Sequence, residues 1–174
     1  GALDAAQMGA TIERLAHDIV SGLRPNEAFV LVGIRSRGLP LAERLALLMR
    51  EITGNPAPVG ALDITLYRDD LMRQTVGPQP LVRKTEISFS IDDRVIVLVD
   101  DVLYTGRTIR AAMNEIFDYG RPARVDLAVL VDRGGRELPI CPRWTAQTLQ
   151  VEPGRNLQLE RGEAGILTLR LIDA

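Results

Sequence analysis

Apolar positions in the first third of the chain alternate between helical spacing and unbroken runs. In residues 4–23 they recur every three or four positions, which predicts a helix with Asp4 as its N-cap. Residues 28–34 form a continuous apolar run typical of a strand buried on both faces. Pro40 is expected to open a second helix that ends at Gly54, and residues 59–66 predict another strand. The helices have these core positions: Met8, Ile12, Leu15, Ala16, Ile19 and Leu23 in the first, and Leu41, Leu45, Leu48, Met49 and Ile52 in the second.

The rest of the chain continues the alternation and then changes character. Residues 67–85 lack a sustained period and predict a long loop, which inside a compact domain is often functional. A strand at 95–99, a helix at 106–119 stopped by Gly120 and Pro122, and a strand at 125–131 follow. This order predicts an α/β fold with a mostly parallel twisted sheet and helices on both faces.

Beyond Asp132 short alternating runs, at 145–151, 157–159 and 166–172, predict a small antiparallel appendage. We therefore expect a single domain over residues 1–174. Its core spans about 4–131, and a cap spans about 132–174.

Composition narrows the class of protein. The 174 residues are 46% hydrophobic and 25% charged, the balance of an ordinary globular domain. A single cysteine, Cys141, and a single histidine, His17, exclude an intramolecular disulfide and a zinc site built from Cys and His alone. The net charge of −2 argues against a protein that binds nucleic acid with its whole surface. The chain has neither a signal peptide nor an apolar run of the ~20 residues that span a membrane, so we expect a cytoplasmic protein.

The densest chemistry follows the strand at 95–99. Asp100 and Asp101 come first, and the turn at 105–108 offers backbone N–H groups, hydroxyls and a helix N-terminus, which suit a phosphate. The two acids would repel phosphate, but carboxylates accept hydrogen bonds from vicinal hydroxyls or support a hydrated Mg²⁺. Either dipeptide alone is an ordinary strand exit or helix cap. Together, beyond a buried strand, they predict a site for a sugar diol that carries a phosphate one bond away.

These motifs resemble a known family. The string VLVDDVLYTGRT at 97–108 resembles the ribose-5-phosphate signature of type I phosphoribosyltransferases, which bind phosphoribosyl pyrophosphate (PRPP). Segments 32–41 (VGIRSRGLPL), 62–71 (LDITLYRDDL), 120–122 and 129–140 (VLVDRGGRELPI) resemble the PyrR family. Its members combine uracil phosphoribosyltransferase activity with attenuation of pyrimidine operons, in which they bind mRNA in response to uridine nucleotides.

The resemblance runs in order from about Arg14 to Ile140 and implies a reaction and its partners. We expect conversion of uracil and PRPP to UMP and pyrophosphate, with Mg²⁺ as cofactor. UMP, UTP and pyrimidine-operon leader mRNA are expected as further ligands, and a homodimer or higher homo-oligomer as the assembly. Two alternatives remain open: an attenuator that senses UMP or UTP without catalysis, and a phosphoribosyltransferase for another base.

The resemblance also implies roles for individual residues. Asp100, Asp101 and Arg37 would be catalytic, and the two acids would bind the ribose hydroxyls and hold Mg²⁺ indirectly through PRPP. The remaining roles fall into four groups: Tyr104, Thr105, Gly106, Arg107 and Thr108 for the 5-phosphate; Arg35, Ser36, Arg37 and Gly38 for the pyrophosphate loop; Arg68, Asp69, Asp70, Arg83 and Lys84 for the flap; and Val131, Asp132, Arg133 and Gly134 for the uracil hood.

Two departures from the family patterns bear on specificity and on RNA. Purine phosphoribosyltransferases usually carry an acid where this chain has Tyr104, and a neutral phenol cannot replace a carboxylate at pH 7, so a pyrimidine is favoured and the general base is unassigned. The candidate RNA face comprises Arg14, His17, Arg136 and Arg143, with His17 expected to be exposed.

Near this face the chain lacks three features that are usual in the family. Gly135 stands where the family has a His, Cys141 stands where it has an Arg, and Ala-Gln-Thr at 146–148 replaces its Gly-Lys-Asn. Fewer phosphate contacts predict weaker RNA binding. Trp144 is either a stacking residue for RNA or a buried anchor under the cap.

Overall fold

The computed structural model describes residues 2–65 and 85–174, which form three helices and seven strands. The elements are α1 (Ala5–Gly22), β1 (Phe29–Ile34), α2 (Gly38–Thr53), β2 (Val59–Leu62), β3 (Val95–Leu103), α3 (Arg107–Tyr119), β4 (Arg124–Asp132), β5 (Trp144–Thr148), β6 (Arg155–Arg161) and β7 (Leu167–Asp173), with a 3₁₀ turn at Glu163–Gly165. In this part of the chain no helix is both long enough and apolar enough to cross a bilayer.

Five strands form one parallel sheet in the order β2-β1-β3-β4-β5, and β6 and β7 form a separate antiparallel pair. The predicted fold class is confirmed. Alternate residues of each central strand face opposite sides, so Val97 and Val99 pack beneath α1 and α2, whereas Ile96 and Leu98 pack beneath α3. Both faces of the sheet are therefore covered, which explains the continuous apolar runs.

The first helix begins as the sequence predicts. Asp4 accepts a hydrogen bond from the backbone N–H of Gln7 at 2.9 Å, and the Gln7 side chain accepts one from the backbone N–H of Asp4 at 3.0 Å. This reciprocal capping box satisfies two N–H groups that have no partner inside the helix. The second helix ends at Gly54, which adopts a left-handed conformation with φ of 77°.

The expectation that residues 145–151 belong to the antiparallel appendage is wrong. They contribute β5, which pairs parallel with β4 through Ala128↔Trp144 and Asp132↔Thr148. A parallel connection needs a crossover, and here residues 133–143 supply it without a helix, so the sequence carries no helical signal between the two strands. Only the other two runs form the antiparallel pair.

Three element boundaries also differ from the sequence analysis. β3 continues to Leu103 rather than ending at residue 99, because β4 remains paired with it as far as Leu103↔Asp132. β2 stops at Leu62, since the Asp63 carboxylate turns the chain by accepting a hydrogen bond from the Thr65 N–H at 2.9 Å. α2 begins at Gly38, so Pro40 lies within its first turn.

Candidate active site

The site lies in the crevice between the carboxyl ends of β1 and β3. From these two central strands the sheet grows in opposite directions, to β2 on one side and to β4 on the other. The last β1–β3 pair is Gly33↔Val99; β1 ends one residue later, at Ile34, while β3 continues to Leu103. Ligands of open α/β sheets bind at such a switch point. The two motifs singled out in the sequence border it from opposite sides.

The pyrophosphate loop, residues 35–38, connects β1 to α2. Ser36 and Arg37 are exposed, and the Arg35–Ser36 peptide bond is cis. The Arg35 side chain lies 3.4 Å from the Glu86 carboxylate, and its backbone N–H donates to the Leu62 carbonyl. Gly38 approaches β3 so closely that a Cβ there would lie 2.5 Å from the Val99 carbonyl oxygen. Only glycine lets this loop reach the acid pair.

The acid pair lies on the part of β3 that extends beyond its last pair with β1. Asp100 and Asp101 are 7% and 9% exposed, and the Asp101 N–H donates to the Asp100 carboxylate at 2.9 Å. Burial raises the pKa of Asp100 well above its usual value, and the neighbouring Asp101 raises it further, while the charge of Arg37 opposes both effects. A buried carboxylate gains from any ligand that supplies hydroxyl donors or positive charge. The pair suits a sugar diol.

The phosphate loop, residues 104–108, turns from β3 into α3. Gly106 caps the helix in a left-handed conformation with φ of 94°, and the Arg107 N–H donates to the Thr105 hydroxyl at 3.2 Å. Thr108 lies in the first turn and is exposed. The N–H groups at the start of a helix attract anions. An anion bound there would lie close to the acid pair, which precedes this loop by only a few residues in the sequence.

The β4–β5 crossover, residues 133–143, wraps around the phosphate loop. The N–H groups of Glu137 and Leu138 both donate to the Thr105 carbonyl, and the Glu137 carboxylate accepts a 3.0 Å bond from Arg107. Ile140 packs against Gly106, where a Cβ would lie 2.9 Å from it. The uracil hood and the phosphate loop are thus one connected structure.

Arg136 holds the crossover in shape from within. Its guanidinium donates two hydrogen bonds to the Asp132 carboxylate, at 2.6 and 2.9 Å, and others to the carbonyls of Ile140 and Tyr104. This pairing lowers the pKa of Asp132. The structure therefore places the Arg136 guanidinium inside the crossover, where groups of the protein itself take up its hydrogen bonds.

The other three members of that face lie together where α1 meets β5. Arg14 donates to the Ala146 carbonyl, and Arg143 donates to the Gly22 carbonyl at 2.6 Å and to the Asp126 carboxylate at 2.8 Å. His17 is exposed, as expected. Both arginines therefore use some of their N–H donors in hydrogen bonds within the protein.

Trp144 lies beneath this face. Its side chain is 9% exposed, and its indole packs against Gly22 with Arg143 stacked over the ring at 4.6 Å. Of the two roles considered for it, the structure favours the buried anchor.

The flap residues Arg68, Asp69, Asp70, Arg83 and Lys84 lie outside the described residues. Thr65 and Thr85, the described residues on either side of this segment, both form hydrogen bonds with Asp63. Its carboxylate accepts the Thr65 N–H, and its own N–H donates to the Thr85 hydroxyl at 2.9 Å. Thr85 in turn donates to Glu115 of α3 at 3.0 Å, and burial raises the pKa of that glutamate.

Three structural partners were missed by sequence reasoning. Glu137 binds Arg107, Asp132 binds Arg136, and Asn156 accepts a hydrogen bond from Arg133. The first two lie within a motif that the sequence analysis quoted, but nothing in their spacing distinguishes an internal partner from an exposed charge. Asn156 is 23 residues from Arg133, and no local signal connects them.

The carboxylates of the site are suited to only part of a Mg²⁺ coordination shell. In the part of the chain that the structure describes, no three His, Cys, Asp or Glu side chains converge to hold a metal ion. Two adjacent carboxylates fit the usual protein share of a magnesium site, in which substrate phosphates and water supply the other ligands. Asp100 and Asp101 therefore fit a cation that arrives with its phosphorylated substrate.

Comparison with known proteins shows the family of this chain. A model of the phosphoribosyl transferase domain matches residues 2–151. The chain is 54% identical over 171 residues to the bifunctional protein PyrR of Thermus thermophilus, covering 98% of this chain and 89% of that protein. It is 56% identical to the bifunctional protein PyrR of Roseiflexus sp., with 98% and 88% covered.

Among solved structures, the HGPRT-ase of Leishmania tarentolae in complex with GMP has a TM-score of 0.64 at 18% identity, covering 86% of this chain and 80% of that one. That likeness shows the fold. The sequence relatives and the matching domain show the family: the chain belongs to the phosphoribosyl transferase domain family and, within it, to the PyrR proteins.

Proposed function

We propose that this protein is a uracil phosphoribosyltransferase of the PyrR type, which converts uracil and PRPP to UMP and pyrophosphate. One observation carries the proposal: at the β1–β3 switch point a buried acid pair on β3 is followed by the exposed N-terminus of α3. This arrangement suits ribose 5-phosphate. The reaction takes place in the cytoplasm.

In this reaction N1 of uracil bonds to C1 of the ribose while the bond from C1 to pyrophosphate breaks, and C1 becomes cation-like. Uracil loses its N1 proton in the same exchange, and in the overall balance the released pyrophosphate takes it up. Asp100 and Asp101 hold the ribose hydroxyls, and the phosphate loop holds the 5-phosphate, so the sugar is fixed as its charge changes. Arg37 and the other pyrophosphate-loop groups stabilise the leaving group. Asp100 and Asp101 would hold Mg²⁺ together with PRPP, and the cation would supply further positive charge for the pyrophosphate. The flap, by family resemblance, excludes water.

The position of Tyr104 supports a pyrimidine rather than a purine. The phenol replaces the acid usual in purine enzymes, and the ring lies beneath the Arg133 guanidinium of the hood, 4.0 Å from ring centroid to guanidinium carbon. No carboxylate is thus available at this position to bond the imidazole part of a purine.

The activity is tested by pyrophosphate release from PRPP and Mg²⁺ with uracil, hypoxanthine, guanine, adenine and orotate offered separately. We expect release with uracil. Replacing both Asp100 and Asp101 by Asn is expected to abolish it, whereas Glu51→Gln, at an exposed carboxylate on α2, retains it. Release with a purine alone would refute the base assignment, and near-normal turnover in the double variant would refute the site.

The regulatory role extends the same proposal to RNA. Arg14, His17 and Arg143 lie on one surface at α1 and β5, and this clustering supports a binding face for leader mRNA that responds to UMP or UTP. Because Arg143 is already paired with Asp126, we expect shallow salt dependence, with few phosphate contacts. Filter binding of a pyrimidine-operon leader with UMP tests this role, and His17→Ala should weaken retention. Absence of binding at low salt with UMP present would refute it.

We also propose that the protein acts as a homodimer or a higher homo-oligomer, as the family resemblance implies. Sedimentation velocity measures the assembly directly. A monomer at micromolar concentration, with full activity, would refute this part of the proposal.

A further inference from the structure

The Arg133 side chain connects two parts of the molecule that are distant in sequence. Its guanidinium carbon lies 4.0 Å from the centre of the Tyr104 ring, at the start of the phosphate loop. One terminal nitrogen of the same group donates to the Arg155 carbonyl at 3.2 Å and to the Asn156 side chain at 3.1 Å, both on β6. The Arg133 side chain therefore connects the β6–β7 hairpin to the phosphate loop.

The backbone position of Arg133 is fixed, which limits the groups that its side chain can contact. Its N–H donates to the Leu103 carbonyl at 3.0 Å, so its Cα is fixed beside the residue that precedes Tyr104. Its Nε is buried and has no hydrogen-bond partner among the described residues. The guanidinium is thus held by the ring on one side and by the two β6 acceptors on the other.

Tyr104 itself is confined by the same crossover. A Cβ at Gly135 would lie 2.4 Å from the Tyr104 ring, and the Tyr104 carbonyl accepts a bond from Arg136 at 2.9 Å. The next residue, Thr105, accepts the two backbone bonds that fix the phosphate loop to the crossover. Tyr104 is 48% exposed, so Arg133 and the crossover are what hold its ring, and we expect displacement of the ring to disturb the adjoining loop N–H groups, which would face the 5-phosphate.

We propose that Arg133 is a positioning residue for the phosphate loop and that Asn156 is its anchor, so the C-terminal hairpin sets the affinity for PRPP. The inference rests on the proposed function for the identity of the ligand. Arg133 acts through Tyr104, and Asn156 acts through Arg133. The contacts exist before the ligand binds and persist in the transition state, so they contribute uniform binding, which appears in KM and leaves kcat unchanged.

The test measures the Kd of PRPP with Mg²⁺ by titration calorimetry, and KM and kcat by pyrophosphate release, for four variants of the full chain. Arg133→Met and Tyr104→Leu each remove the stacked pair, and both should raise Kd and KM about tenfold, or ~1.4 kcal/mol. Asn156→Ala should raise both about threefold, with kcat within about twofold of wild type. Gln158→Ala, two residues along β6, makes none of the bonds to Arg133 and should match wild type.

The anchor relation is tested by combination. In the Arg133→Met background, Asn156→Ala should add nothing, because the contact it removes is already lost. A purely structural role would lower the melting temperature and the active fraction, and hence kcat, at unchanged KM and Kd. That pattern would overturn the inference, and so would additive effects in the double variant.

Failure of the proposed function gives a different result. A wild-type protein that binds PRPP without releasing pyrophosphate refutes the activity, and the Kd series then decides the inference alone. A wild-type protein that does not bind PRPP overturns both.

Discussion

Replacing Gly38 by alanine isolates the approach of the pyrophosphate loop to the acid pair. The added Cβ would lie 2.5 Å from the Val99 carbonyl oxygen and 3.3 Å from the Asp100 Cα, whereas ordinary contacts begin at 3.4 Å. The two nearest atoms belong to the β3 backbone, which cannot rotate away as a side chain could, so the loop and β3 must separate by about 0.9 Å to reach ordinary contact. Misplacement by about 1 Å costs on the order of 100-fold in rate, and overpacking of this kind costs about 1–3 kcal/mol of stability.

We therefore expect Gly38→Ala to lower kcat/KM on the order of 100-fold in the pyrophosphate-release assay and to lower the melting temperature. Gly9→Ala is the matched control. Gly9 lies inside α1 with nothing within 4 Å of its Cβ position, so alanine there should leave activity unchanged and stabilise the helix by up to ~1 kcal/mol. Activity within about threefold of wild type in Gly38→Ala, at an unchanged melting temperature, would refute the requirement for close approach.

Three further predictions concern charge and backbone. Asp100→Asn should raise the melting temperature at pH 7–8 while abolishing turnover. Because the pKa of Asp100 is raised in the folded protein, the folded state binds this proton more tightly than the unfolded chain does. The stability of the wild-type protein therefore falls as the pH rises above 3.8, and the Asn variant escapes that loss. A gain that does not grow from pH 4 to pH 8 would contradict this. Arg124 lowers the pKa of Glu27 from 4.5 to about 2, so this pair stabilises the fold above pH 4.5 and the effect is lost as pH falls towards 2. Glu27→Gln should remove that part of the acid dependence in thermal melts, and an unchanged acid slope would exclude the pair as its source. Gly135→Ala should destabilise the protein and raise the KM for PRPP more than Gly134→Ala does, because both glycines have positive φ but only Gly135 faces the Tyr104 ring; equal effects would leave backbone strain as the sole cause.

The central part of the fold could be predicted because burial on both faces of the sheet leaves continuous apolar runs. β5 could not be placed in the same way. It is an edge strand with alternating exposure and follows a crossover without a helix, so its pattern is the same as that of the antiparallel runs after it. Local periodicity reports the burial of a strand and carries no information about its neighbour in the sheet.

The candidate site, too, could be predicted from the sequence only in part. Asp100, Asp101 and the phosphate loop are contiguous in sequence, and their chemistry can be read there. The partners of the arginines cannot, because charge alone does not distinguish Arg136, which lies inside the crossover, from Arg143, which lies on the surface at the start of β5. Such pairings depend on the tertiary path of residues 133–143, and local sequence does not encode it.

The crossover between β4 and β5 has a consequence for how this protein can diverge. Residues 133–143 form the connection that delivers β5 to the sheet edge in register with β4, and they also cover the phosphate loop. An insertion here would shift Trp144 and the α1 contact beneath it along with the ligand site. A side-chain change in the crossover can therefore alter the ligand site alone, whereas a change in its length would disturb the sheet edge and the ligand site together.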